Sequence, residues 1–98
     1  MSDFDHGWHV NESVVGWRVR FDGPSEMSFQ PNQYGKLMGA SHKTGHQPPV
    51  TFQELNKIAA TVHARLLGKR FGTAFSNERR NVCCEYAAAL NKQMEARS

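Results

Sequence analysis

The sequence predicts an α+β fold, a three-stranded antiparallel β-meander followed by two amphipathic α-helices. Apolar residues alternate between Trp8 and Phe29, they recur at three-and-four spacing beyond Phe52, and strong turn residues separate the two regimes. A chain of 98 residues holds one domain with a single core and is too short for two. With 39% apolar and 21% charged residues its composition is that of a folded globular chain.

The β segment is expected over residues 7–30. Trp8 and Val10 make a short first run, and Asn11, Glu12 and Ser13 supply a hairpin turn. From Val14 to Phe21, alternation places Val15, Trp17, Val19 and Phe21 on one face and Arg18 and Arg20 on the other. Asp22-Gly23-Pro24-Ser25 breaks the strand, and Met27 and Phe29 resume alternation until Pro31. Residues 31–50, with Gly35, Gly39, Gly45, Pro48 and Pro49, keep no period for more than a few residues and read as a long loop. Long loops in small domains carry function, so Tyr34, Leu37 and Met38 are candidate apolar anchors for a partner.

The first helix, about 51–68, has the strongest start signal. Thr51 is an N-cap with Glu54 three residues on, and Val50 and Leu55 are spaced as a hydrophobic staple. Phe52, Leu55, Ile58, Ala59, Val62 and Leu66 form its apolar stripe. The second helix, about 76–96, has Ser76 or Asn77 as cap and a stripe of Val82, Cys83, Tyr86, Ala87, Leu90 and Met94. That stripe buries Cys83 and leaves Cys84, Ala88, Asn91 and Glu95 outside.

Net charge is +3 and unevenly distributed. Residues 1–49 hold four Lys/Arg against five Asp/Glu, residues 50–98 eight against four. Arg65, Lys69 and Arg70 close the first helix while Arg79 and Arg80 open the second, so a helical hairpin gathers five cations near one end. The first three suit the C-terminal end of a helix dipole; Arg79 and Arg80 sit at the wrong end and call for an anion, an acidic partner or a salt bridge. If the first helix reaches Phe71, the pair resembles a helix-turn-helix; if it ends near Leu67, the joint is too long for that motif, which is the preferred reading.

Site chemistry is sparse. His6 with His9 and His42 with His46 are loose pairs, His63 stands alone, and the adjacent Cys83 and Cys84 point about a quarter-turn apart on a helix, so no zinc set is expected. Cys84 near Arg80 has no histidine oriented towards it by sequence, and no nucleophile elbow, phosphate-cradling glycine motif or spaced carboxylate pair occurs. The expectation is therefore no enzyme, no metal and no cofactor. The acidic start MSDFDHG and the absence of a long apolar run fit neither a secretory leader nor a membrane span, and adjacent cysteines fit a reducing cytoplasm.

Short strands leading into two basic helices, the exposed-looking Gly23-Pro24 turn and the lack of a catalytic motif resemble the small accessory proteins of tailed phages, the lambdoid anti-RecBCD type among them. The resemblance implies a phage-encoded modulator or inhibitor in the host cytoplasm. It would dock on a host nucleic-acid-processing complex with an acidic surface, with Gly23 and Pro24 offered to a prolyl isomerase. On the residues alone, Arg65, Lys69, Arg70, Arg79 and Arg80 with Tyr34, Leu37 and Met38 form the contact surface. The alternative is DNA or RNA binding by the same basic junction, with Trp8, Trp17 or Phe21 stacking on bases.

Overall fold

The computed structural model describes residues 7–21, 26–42, 49–66 and 70–97. Gly23, Pro24 and Lys69 lie outside this set. The elements are β1 (Trp8–Ser13), β2 (Gly16–Phe21), β3 (Met27–Pro31), β4 (Leu37–His42), α1 (Phe52–Arg65) and α2 (Asn77–Arg97). The strands form one antiparallel sheet in the order β1-β2-β3-β4. The α+β class holds, but the meander has four strands rather than three.

The first hairpin turns at Val14-Val15, not at residues 11–13, because Ser13 pairs with Gly16. Two features hold this turn against the strand preference of two valines. Ser13 Oγ donates to Gly16 O at 2.7 Å and accepts from Val15 N at 3.2 Å, and Gly16 adopts a φ of 118° that a side chain would resist. Beyond β3, the Asn32 side chain accepts from Tyr34 N and Lys36 N, at 2.9 and 3.0 Å, and folds the chain back into β4. The expected loop thus contains a strand. Its alternation is broken by Gly39, at φ 64°, where one extra residue bulges between the pairs Ser28↔Ser41 and Gln30↔Met38.

The inward sheet residues Trp8, Val19, Phe21, Met27 and Phe29 meet Leu55, Ile58 and Val62 of α1 and Val82, Cys83, Tyr86, Ala87 and Leu90 of α2 in one cluster. α2 lies on β1, β2 and β3, and α1 packs beside α2. Phe29 meets Tyr86 edge-on at 5.3 Å, and Trp8 packs against Phe21 and Phe29 at 5.4 and 5.9 Å. Asn91, expected to face outward, closes the first residue of β1 instead. Its Oδ1 accepts from Trp8 N at 2.8 Å and its Nδ2 donates to Trp8 O at 3.0 Å.

α1 begins as its sequence requires. Thr51 Oγ1 accepts from Glu54 N, Thr51 N donates to the Glu54 carboxylate, and Val50 is buried with Leu55. Phe52 falls outside the buried stripe and is exposed. Leu66 caps the far end of α1 and α2 starts at Asn77, a spacing too long for a helix-turn-helix. No described helix is long and apolar enough to cross a membrane.

Gly16 also touches the interhelical segment: a Cβ there would lie 2.4 Å from Ala74 Cβ and 2.6 Å from Ala74 O. Gly16→Ala combines backbone strain with this overlap and is expected to cost about 3 kcal/mol, read from urea denaturation. An unchanged midpoint would contradict the packing of this hairpin on Ala74.

Candidate interaction surface

The geometry of the surface starts with the segment between the helices. Phe71, itself buried, donates its N–H to Gln33 O at 2.7 Å, and Trp17 N donates to Ala74 O at 2.9 Å. Residues 71–74 are therefore tied to the β3–β4 turn at one point and to β2 at another. Tyr86 Oη holds the same turn from α2, donating to Gly35 O at 2.6 Å.

Arg79 completes these ties and corrects the reading of it as a partner contact. It is only 7% exposed. Its Nη1 donates to Pro31 O at 3.1 Å and its Nη2 to Gly72 O at 2.8 Å, with Phe71 O at 3.4 Å. These carbonyls, together with the Ser76 cap that accepts from Arg79 N through Oγ and from Arg80 N through its carbonyl, explain a cation at the unfavourable end of a helix. Burial lowers the Arg79 pKa from the ordinary arginine value, partly offset by Cys83. Among the described residues its Nε has no acceptor.

The expected cluster of cations disperses accordingly. Arg65 pairs with Glu85 at 2.5 Å, both side chains well exposed, an arrangement that contributes little. Arg70 lies over the Tyr34 ring at 5.8 Å and Arg80 over the Trp17 ring at 5.5 Å. Leu37, expected as an anchor, packs against the core. Trp8 and Phe21, expected to stack on bases, face the helices, and the other side of β1–β4 carries His9, Asn11, Arg18, Arg20, Ser28, Gln30 and Ser41 without any Phe, Tyr or Trp. Arg18 there donates to Ser28 Oγ and Gly39 O, and Arg20 pairs with Glu26 at 2.8 Å.

Tyr34 and Met38 do come together. With Val15, Gln30, Pro31, Asn32, Gln33, Ala74 and the largely buried Arg79 they line a shallow hollow of about 330 Å³. Val14 is 96% exposed at the hairpin tip beside it, and Val15, Tyr34, Met38 and Phe75 each expose about half of their surface. Of the six exposed large hydrophobic residues among those described, Val15, Tyr34 and Met38 line the hollow, and Val14 and Phe75 adjoin its lining residues Val15 and Ala74 in the chain. Trp17 links the group, its Nε1 donating to Phe75 O at 3.2 Å. Such a mixture of aromatic, Met and Arg residues is what recognition surfaces concentrate.

Val14, Val15 and Phe75 were not singled out as contacts from sequence, and Trp17 only as a residue to stack on bases, yet Phe75 has a legible signal. It precedes the cap Ser76 as Val50 precedes Thr51, but the residue four positions into α2 is Arg80 where α1 has Leu55. Without a staple partner the ring stays outside.

Cys83 is buried and Cys84 exposed. Burial, then the neighbouring Cys84, pushes the Cys83 thiol up to about 12, against the pull of Arg79 and Arg18. Burial likewise raises the Tyr86 phenol to about 12, with Cys83 adding to it. Among the described residues no three His, Cys, Asp or Glu side chains converge as metal ligands. No family model, curated protein or solved structure matches the chain.

Arg79→Met leaves the Pro31 and Gly72 carbonyls without their donor and is expected to cost about 3 kcal/mol, whereas Arg80→Ala should cost less than about 1 kcal/mol. Equal costs would contradict the different roles of the two arginines. The alkaline limb is a separate test. The folded pKa of Cys83 and Tyr86 lies above the ordinary 9 and 10, so their contribution is fully present below about pH 9 and is lost as pH rises towards 12. Cys83→Ala should flatten that fall in stability; a limb of unchanged slope would contradict the burial of the neutral thiol.

Proposed function

We propose that the chain is a non-enzymatic interaction module that docks on a larger protein through the Val15–Tyr34–Met38 end of the fold. The observation that carries this reading is the meeting of the half-exposed Val15, Tyr34 and Met38 in one hollow, with the exposed Val14 and Phe75 next to its lining residues in the chain and Arg70 over the Tyr34 ring. Exposed apolar side chains cost solubility, and a fold that collects them at one end, on a backbone tied by Arg79, presents a preorganised surface of the kind that protein partners desolvate. Together with the sequence resemblance to phage accessory proteins, this favours a modulator or inhibitor of a host nucleic-acid-processing complex over a scaffold or a catalyst.

Val15→Asp with Met38→Asp places two charges in the hollow at positions that are already about half exposed, so the fold should survive. In affinity capture from a nuclease-treated bacterial lysate, the wild-type chain should retain a partner that the double variant loses at unchanged thermal stability. Equal capture by both, or capture that disappears on nuclease treatment, would remove this reading.

A further inference from the structure

The chemistry of the occupant can be read from the two arginines beside the hollow. Tyr34 lines the hollow and carries Arg70 over its ring; Ala74 lines another edge and accepts from Trp17 N, and the Trp17 ring carries Arg80. Both arginines are exposed, and neither makes an ion pair among the described residues. A guanidinium held over an aromatic face keeps its N–H donors for an acceptor and has less rotamer freedom left to lose on binding. The hollow itself is mixed, with Val15, Pro31, Met38 and Ala74 supplying aliphatic surface beside the polar Gln30, Asn32 and Gln33 and the tied Arg79.

We propose, building on the docking reading above, that this surface takes an acidic segment of a partner protein, one apolar side chain seated in the hollow and carboxylates engaging Arg70 and Arg80. Charge complementarity selects the acidic flanks, and bidentate geometry suits a carboxylate to a guanidinium. A nucleic-acid strand fits less well. Bases bind on free aromatic faces, and here the faces of Tyr34 and Trp17 carry guanidinium groups. Of the other arginines, Arg65 and Arg20 pair with Glu85 and Glu26, Arg18 donates to Ser28 Oγ and Gly39 O, and Arg79 donates to backbone carbonyls.

The test titrates the full chain, by fluorescence anisotropy, with a short labelled peptide bearing Leu-Phe at its centre and Glu on both flanks. The same peptide with Gln for Glu, the same with Ala-Ala at the centre, and a single-stranded oligothymidylate serve as comparisons. The acidic peptide should bind saturably, with affinity lowered at least about tenfold by Gln flanks, by the Ala-Ala centre and by Arg70→Ala with Arg80→Ala. No saturable binding, equal binding of the Gln peptide, or tighter binding of the oligothymidylate would overturn the proposal. The same Arg70→Ala, Arg80→Ala variant in the lysate capture separates the two readings. If it keeps a partner that Val15→Asp with Met38→Asp loses, docking stands and the acidic chemistry is wrong; if neither variant changes capture, docking itself fails.

Discussion

One buried guanidinium organises the end of the molecule on which the functional reading rests. Arg79 reaches from the first turn of α2 to the carbonyls of Pro31 and Gly72, so the last residue of β3, the interhelical segment and the helix start are joined at a single side chain. A buried charge without a carboxylate is costly unless several acceptors surround it. Here the acceptors are backbone carbonyls that would themselves be unpaired without it. Removing the side chain therefore leaves those carbonyls buried without their donor, whereas an exposed arginine can be lost cheaply.

From that point the surface follows. With the segment at Phe71 and Gly72 fixed, Ala74 falls against Gly16 and Phe75 offers its carbonyl to the Trp17 indole. The hairpin tip and the β3–β4 turn are then brought to one hollow, and their apolar side chains have no interior left to enter. Arg70 and Arg80 cover the rings of Tyr34 and Trp17, which places fixed cations beside apolar surface. A preorganised surface of this type loses little conformational entropy on association, which is the physical reason for proposing a partner there.

The sequence made some of this legible and hid the rest, for reasons that can be named. The start of α1 was readable because Val50, Thr51, Glu54 and Leu55 each satisfy a local rule and the rules agree. Cys83 inside and Cys84 outside followed from helical period alone. β4 was hidden because Gly39 and the bulge interrupt its alternation, and the first turn was misplaced because Val14 and Val15 read as strand while Ser13 and Gly16 make the turn. Arg79 misled most. A cation at a helix start looks anomalous locally, and only contacts across the fold, 48 residues away at Pro31, explain it. Of the residues expected to contact a partner, Arg79 is buried and Leu37 packs against the core, while Tyr34, Met38, Arg70 and Arg80 are exposed.

The dependence of the surface on Arg79 is open to direct measurement by residue-resolved amide hydrogen exchange. Phe71 N–H, bonded to Gln33 O, and Trp17 N–H, bonded to Ala74 O, report the two ties of the interhelical segment. In the wild-type chain both should be protected well above the random-coil rate. In Arg79→Met both should lose protection together while amides in the middle of α2, such as Leu90, keep theirs. Protection of Phe71 and Trp17 that is absent in the wild type, or undiminished in the variant, would contradict the account.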